Sequence, residues 1–150
     1  MKIEQEIQQK RFTDVYHKAH INVLYTSSWL NQHIHEVLKP FRISWQQYNI
    51  LRILRGLSPR PASIKLLTRK MIDKTSNASR LVDKLERKGL VQRTTCPEDR
   101  RRLEVQLTEE GHALLATTSE LMEVRLREQM SSLSHEEAQT LNELLDKMRT

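Results

Sequence analysis

Hydrophobic side chains recur every three or four positions along the first quarter of the chain. Residues 3–37 contain neither glycine nor proline, so this spacing predicts one long helix, either continuous or broken once, that ends before Pro40. At ~1.5 Å per residue, such a helix is longer than the core of a domain this small. Part of its apolar stripe is therefore expected to pack against another chain.

Capping patterns mark the helices that follow. Ser44 and Gln47 form a capping box before a helix that stops at Gly56, and Ser63 is the expected N-cap of a short helix. After a tight turn, "KTSNASRLVDKLERKGL" at residues 74–90 predicts a third helix of this group, ended by a glycine. Its apolar stripe consists of Ala78, Leu81, Val82 and Leu85.

The pattern then changes to a period of two. "LVQRTTC" and "RLEVQL" alternate apolar and polar residues on either side of "PEDRR", which predicts a β-hairpin. Thr108 is expected to cap a helix that runs to about Met130, and Ser134 and Glu137 form a capping box before the last helix. The predicted fold is mainly α with a small β-hairpin: a helix-turn-helix followed by a wing.

Basic residues concentrate in the middle of this pattern. The net charge is +6, but residues 42–104 hold sixteen Lys and Arg against six Asp and Glu, a local balance of +10 that leaves −4 for the remainder. A basic middle between acidic helical ends indicates a polyanionic partner. No stretch approaches the ~18 apolar residues of a membrane span, no signal peptide is expected, and Cys96 as the only cysteine fits a reducing cytoplasm.

The second helix of the predicted helix-turn-helix has small polar residues at its start. Ser76 and Asn77 keep that end slim enough for the major groove, and Arg80 can reach guanine O6 and N7. Because an ordinary surface helix with solvated charges would show the same residues, this helix alone does not decide between the two interpretations.

The predicted hairpin tip favours DNA binding. Arg100, Arg101 and Arg102 follow Asp99, and the planar, weakly hydrated guanidinium suits the narrow minor groove. Asp99 is expected to hold the Arg101 guanidinium in a bidentate pair. The tip is therefore interpreted as a wing that enters a phosphate-lined groove.

Three stretches of the chain resemble the MarR family of winged helix-turn-helix transcriptional regulators: "ISWQQYNILRIL", "SNASRLVDKLERKGLVQR" and "PEDRRRLEVQLTEEG". The resemblance covers residues 10–148 and implies a homodimer in which the first and last two helices interlock and two winged domains read a pseudo-palindromic operator. The family's wing pattern, Asp-x-Arg followed by alternating apolar residues and Leu-Thr-x-x-Gly, is met by Asp99, Arg101, Val105, Leu107, Thr108 and Gly111.

The resemblance also implies a division of labour. Residues 1–38 and 109–150 would form the helical dimerisation region, and residues 41–108 the DNA-binding domain. Arg101 would enter the minor groove with Asp99 as its positioning residue, and the partner would be double-stranded operator DNA, with no cofactor. The residues expected to bind DNA are Ser63, Lys74, Thr75, Ser76, Asn77, Arg80, Lys84, Arg100 and Arg101.

The resemblance also implies that a ligand regulates DNA binding, with small aromatic or amphipathic anions as effectors. No sequence motif identifies a particular effector. His17, His20, His33 and His35 lie in the first predicted helix; helical histidines are more often exposed or hydrogen-bonded than metal-bound, and no metal is expected. Cys96, at the base of the wing, is expected to have a structural or incidental role. The turn "KMIDK" lacks the small residue usual in the family, so its geometry is left open.

Other classes of protein fit less well. There is no Gly-rich phosphate loop or Gly-x-Ser-x-Gly elbow, and "HIHEVL" and "SHEEAQ" fail the His-Glu-x-x-His zinc pattern, so no enzyme activity is expected. An adaptor without DNA binding would not need Arg80, Asp99 and Arg101. The expected function is that of a transcriptional regulator that acts as a repressor. The remaining alternative is a sequence-tolerant architectural DNA-binding protein, which the ratio of specific to non-specific affinity would distinguish.

Overall fold

The computed structural model describes residues 1–150. The regular elements are seven α-helices, a short 3₁₀ helix and three strands. In chain order they are α1 (Ile3–Glu6), α2 (Val15–Leu38), the 3₁₀ helix (Lys39–Phe41), α3 (Trp45–Leu57), β1 (Ala62–Ser63), α4 (Ile64–Lys70), α5 (Ala78–Arg87), β2 (Val91–Thr95), β3 (Leu103–Leu107), α6 (Glu109–Met130) and α7 (His135–Met148).

The N-terminal helix is broken once, between α1 and α2. Gln8 takes a left-handed backbone conformation, with φ of 53°, and Asp14 then caps α2 by accepting a hydrogen bond from the His17 backbone N–H at 2.8 Å. The Tyr25 hydroxyl donates to a Glu6 carboxylate oxygen at 2.8 Å, which raises the pKa of Tyr25 and ties α1 to α2. The continuous form of the predicted helix is wrong, and the broken form is confirmed.

The predicted helix starts are confirmed at four positions. In each case a side-chain oxygen accepts the backbone N–H three residues on, as an N-cap does. α5 is an exception to the predicted boundaries, because it begins only at Ala78, and α3 continues one residue past Gly56. The four confirmed N-caps are Ser44, Ser63, Thr108 and Ser134.

The hydrophobic core surrounds α3, whose Ile50 and Leu51 are fully buried. The buried stripe of α5 packs against it, and Leu38 at the end of α2 and Leu115 in α6 join the same cluster. The two long helices are therefore attached to the helix-turn-helix by shared packing, which stabilises the fold through the apolar surface removed from water.

The wing hairpin is confirmed, and a further strand joins it. β3 lies in the centre of the sheet, between β1 and β2. Ala62 of β1 lies opposite Val105, and Arg93 of β2 lies opposite the same residue on the other side. A strand of two residues leaves no alternating pattern, so the sequence did not predict β1.

The terminal helices carry apolar side chains that nothing in the chain covers. α7 contains no buried residue, and α2 and α6 also leave large apolar side chains in solvent. None of the helices is both long enough and apolar enough to cross a membrane. The exposed apolar residues of these three helices include Tyr16, Leu24, Leu121, Val124, Leu141, Leu144 and Met148.

Candidate nucleic-acid interface

α5 presents a polar face to solvent while its opposite face is buried in the core. Asn77 caps the helix, because its side-chain oxygen accepts the Arg80 backbone N–H at 3.1 Å. The exposed face borders an open groove of about 440 Å³ with no hydrophobic lining residue. The residues that line this α5 groove are Asn77, Ser79, Arg80, Asp83, Lys84 and Arg87.

The turn before α5 is fixed by side chains rather than by a glycine. Asp73 accepts hydrogen bonds from the Thr75 hydroxyl at 2.7 Å and from the Thr75 backbone N–H at 3.0 Å, and these bonds hold the pKa of Asp73 below its ordinary value. From the core side, the buried Asn49 accepts the Ile72 backbone N–H at 3.0 Å. Together these contacts define the geometry that the "KMIDK" sequence had left open.

Lys74, Thr75 and Ser76 were predicted on the exposed face of α5 or beside it. In the structure all three lie in the turn before this helix. The Lys74 ammonium donates to the Arg69 carbonyl at the end of α4, and the Thr75 hydroxyl is bound to Asp73. The Ser76 Oγ is buried without a hydrogen-bond partner. The placement of Ser76 on the exposed face of the helix is therefore wrong, because the helix begins two residues later. Ser63 lies at the start of α4, where its Oγ accepts the Leu66 backbone N–H at 3.1 Å.

The wing tip is organised by Asp99, but not through the predicted ion pair. The Asp99 carboxylate accepts the Arg101 backbone N–H at 3.0 Å, and its carbonyl accepts the Arg102 backbone N–H at 2.9 Å. The bidentate pair with the Arg101 guanidinium is wrong, because the turn brings the backbone N–H of Arg101 to the carboxylate. Arg100, Arg101 and Arg102 are all exposed and form no ion pair within the chain.

The base of the wing is closed by Cys96. This residue is buried, and its backbone N–H donates to the Arg102 carbonyl at 3.0 Å. The bond joins the two ends of the tip where the paired strands have stopped. Of the two expected roles, its burial agrees with the structural one.

Three residues near the interface were not predicted from the sequence: Ser79, Asp83 and Arg93. Ser79 lines the α5 groove beside Arg80, and its position in the first turn of α5 follows only once Asn77 is recognised as the N-cap. Arg93, on β2, forms ion pairs with Asp83 and Glu86 of α5. Its signal in the sequence is weak, since a strand residue and its helical partners seven and ten positions away form no standard motif.

The chain is similar to known proteins in both sequence and structure. A profile of the MarR family matches residues 43–103, which run from just before α3 to the start of β3. A MarR transcription factor from Planctomyces limnophilus is 33% identical to this chain, over 93% of this chain and 98% of the other, with a TM-score of 0.67. This chain belongs to the MarR family of transcriptional regulators.

The MarR-family fold is also shared with more distant structures. One is a cysteine-to-serine mutant of MarR from E. coli complexed with operator DNA, 23% identical over 93% of this chain and 99% of that chain, with a TM-score of 0.78. Another is an organohalide-sensing transcriptional regulator in its 2,4-dichlorophenol-bound form, 20% identical over 94% of this chain and 85% of that chain, with a TM-score of 0.82.

Away from the winged helix-turn-helix, this MarR-family chain has a second groove, between α2 and α6. Its volume is about 250 Å³, and it is lined by Val37, Leu121, Val124, Arg125 and Glu128. It combines an apolar floor with an ion pair, in which Arg125 Nε lies 3.9 Å from a Glu128 carboxylate oxygen.

The α2 histidines take part in local contacts. His17 Nδ1 accepts the Thr13 backbone N–H at 3.1 Å, and His33 Nδ1 lies 2.8 Å from the Trp29 carbonyl. No group of three or more His, Cys, Asp or Glu side chains is placed so that it could hold a metal ion.

Proposed function

We propose that this MarR-family protein is a sequence-specific DNA-binding repressor that binds a pseudo-palindromic operator as a homodimer. The observation that carries this function is the combination, within residues 41–108, of the exposed α5 groove and a wing tip of three unpaired arginines. Both belong to the segment with a local charge balance of +10. Such a surface attracts phosphates and presents two projections to adjacent grooves of a duplex.

Within this function, α5 reads the major groove and the wing the minor groove. Arg80 is exposed in the first turn of α5, where a guanidinium can bond guanine O6 and N7, and Asn77 keeps its amide N–H groups free because only its oxygen is used in capping. Lys84 lies one turn further along and is assigned to a phosphate. The remaining assigned contacts are those of Ser63, Lys74 and Thr75 with the DNA backbone, and those of Arg100 and Arg101 in the minor groove; Ser76 is left out, because its backbone N–H already donates to the Asp73 carbonyl.

Dimerisation is assigned to residues 1–38 and 109–150. α7 has an apolar stripe and no buried residue, so packing within one chain contributes little to the stability of this helix. A second copy would cover that stripe and the exposed apolar residues of α2 and α6 by symmetry. Two copies would also bring two winged domains to the two halves of a palindrome.

Release from DNA is assigned to a small amphipathic anion in the groove between α2 and α6. Val37, Leu121 and Val124 would contact its apolar part, and Arg125 would bind its charge in exchange for the ion pair with Glu128. The similar fold that binds 2,4-dichlorophenol makes chlorinated phenols and aromatic carboxylates the first ligands to test. A ligand of this kind should lower operator affinity in proportion to its occupancy.

The decisive experiment is selection of bound DNA from a random duplex pool. We expect a palindromic motif whose half-sites lie about 10 base pairs apart, one helical turn. The affinity for that motif should exceed the affinity for scrambled DNA by about 10³ or more at physiological salt. Tight binding without an enriched motif would instead identify a sequence-tolerant architectural protein.

A further inference from the structure

Arg93 on β2 contacts α5 at three levels along the helix. Its guanidinium Nη1 pairs with Asp83 and lies 3.6 Å from a Glu86 carboxylate oxygen, and Nη2 lies 3.5 Å from the Ser79 carbonyl, to which it donates. These three residues are spaced four and three apart, so they form one side of the helix. One side chain from the sheet therefore contacts residues of successive turns of α5.

The backbone of Arg93 is bound to α5 as well. β2 is an edge strand, and the backbone N–H of Arg93 donates to a Glu86 carboxylate oxygen at 3.0 Å instead of to another strand. The Arg93 side chain is 21% exposed, against 44% for Asp83 and 42% for Glu86, so the cation is the most enclosed member of the cluster.

The cluster lies between the two parts of the proposed interface. Ser79 and Asp83 line the α5 groove together with Arg80, whereas β2 leads through Cys96 to the wing tip. A rotation or tilt of α5 relative to β2 would therefore move Arg80 relative to Arg101. The planar guanidinium, with several donors in a fixed geometry, resists such motion better than a single ion pair would.

We infer that Arg93 is a positioning residue that holds α5 and the wing in the one relative orientation in which both enter the same operator half-site. This inference rests on the proposed function, since it concerns how the two DNA-binding parts act together. It assigns no DNA contact to Arg93 itself.

Charge-matched variants separate positioning from simple electrostatics. Arg93→Gln removes a positive charge, Asp83→Asn removes a negative one, and the double variant has the net charge of the wild type. We expect each single variant and the double variant to bind the selected operator about tenfold more weakly than the wild type, because the pair acts as a unit. Glu98→Gln is the control for Asp83→Asn. It removes an exposed carboxylate with no ion pair in the chain and should bind slightly more tightly.

A second measurement distinguishes positioning from loss of fold. Arg101→Ala should cost less affinity in the Arg93→Gln background than in the wild type, because the wing no longer enters its groove together with α5. Non-specific affinity for scrambled DNA should change by less than twofold for Asp83→Asn and for the double variant, whereas partial unfolding would lower both affinities together. Arg93→Lys, which keeps the charge but has only one ammonium, replaces Arg93→Gln if the latter does not fold.

The positioning role of Arg93 and the proposed function would be overturned by different results. Recovery of wild-type affinity by the double variant, or tighter operator binding by Asp83→Asn, would overturn the positioning role while leaving the proposed function intact. Failure of the wild type to select any motif would overturn the proposed function and this inference with it.

Discussion

The side chain of Asp99 determines how the wing arginines are presented. A spacing of two residues lets a carboxylate reach either the guanidinium of Arg101 or its backbone N–H, and the structure has the second arrangement, at 3.0 Å. This is an Asx turn, in which the side-chain oxygen replaces a backbone carbonyl. Because only an oxygen acceptor is needed, the negative charge of Asp99 is incidental to its role.

Asp99→Ala and Asp99→Asn should therefore differ in their effect on operator affinity. The alanine variant loses the acceptor that orders the tip, so we expect binding to weaken about three- to tenfold although a negative charge near DNA is removed. The asparagine variant keeps the acceptor and should bind at least as tightly as the wild type. Fluorescence anisotropy titrations at two salt concentrations measure both. Equal affinities for the two variants would reduce Asp99 to a surface charge.

Arg101 gives a further test of the same tip. Arg101→Ala should weaken operator binding and lower the slope of log affinity against log salt, because one contact with the phosphate field is lost. The Asp99, Arg101 double alanine variant should be little weaker than Arg101→Ala alone, since a positioning residue has no effect without the group it positions. Additive losses would show that the two residues act separately.

Arg80 and Lys84 should divide specificity from general affinity. Arg80→Ala should relax base preference at one operator position and cost about 1–3 kcal/mol if it makes a bidentate base contact. Lys84→Ala, one turn further from the start of α5, should weaken operator and scrambled DNA alike. Repeating the random-pool selection with each variant reveals the difference. A motif unchanged by Arg80→Ala would contradict its role in base reading.

The sequence predicted those helix boundaries that are determined by residues close together in the chain. The starts of α3, α4, α6 and α7 were predictable because the N-cap oxygen and the backbone N–H that donates to it lie only three residues apart. β1 was not, because a two-residue strand exists only through its pairing with β3, more than forty residues further along the chain. The cluster around Arg93 was missed for the same reason, since it depends on how β2 lies against α5.

The junction between α5, β2 and α6 depends on a close approach at Gly111. The Thr108 hydroxyl donates to the Gly89 carbonyl at 2.6 Å, and the Thr108 backbone N–H donates to the Leu90 carbonyl at 3.1 Å. A Cβ at position 111 would lie 2.0 Å from the Leu90 carbonyl oxygen, so α6 could not keep this position. The glycine of the family's wing pattern is therefore required here by packing.

Gly111→Ala should lower the free energy of unfolding by about 1–3 kcal/mol, because the start of α6 must move away from Leu90. Gly56→Ala is the matched control: a Cβ there meets no atom within 4 Å, and the residue lies within α3. We expect this control to be unchanged or up to about 1 kcal/mol more stable, since alanine loses less backbone entropy in a helix than glycine. Urea unfolding measures both, and similar stabilities would argue against the close approach.

At the scale of the whole molecule, charge and apolar exposure are segregated. Residues 42–104 carry the local balance of +10, whereas the flanking residues carry −4 and most of the uncovered apolar side chains. In α7, Leu144 is 59% exposed and Met148 57% exposed, on the same stripe. In the proposed dimer, the acidic, apolar-striped helices pack against a second copy, which leaves the basic surface free for DNA.

Leu144→Glu should convert the proposed dimer to monomer without unfolding the chain. The side chain contributes nothing to the hydrophobic core of one protomer, so the helical content should remain, while a buried charge at the interface disfavours association. Gln139→Glu adds the same charge to the opposite side of α7 and should leave the dimer intact. Sedimentation equilibrium gives the mass of each variant.

Because a monomer engages one half-site, Leu144→Glu should also lose at least about 10²-fold in affinity for the full palindrome. Its affinity for an isolated half-site should equal that of the wild type. A dimeric Leu144→Glu variant with wild-type operator affinity would exclude this face of α7 from the interface.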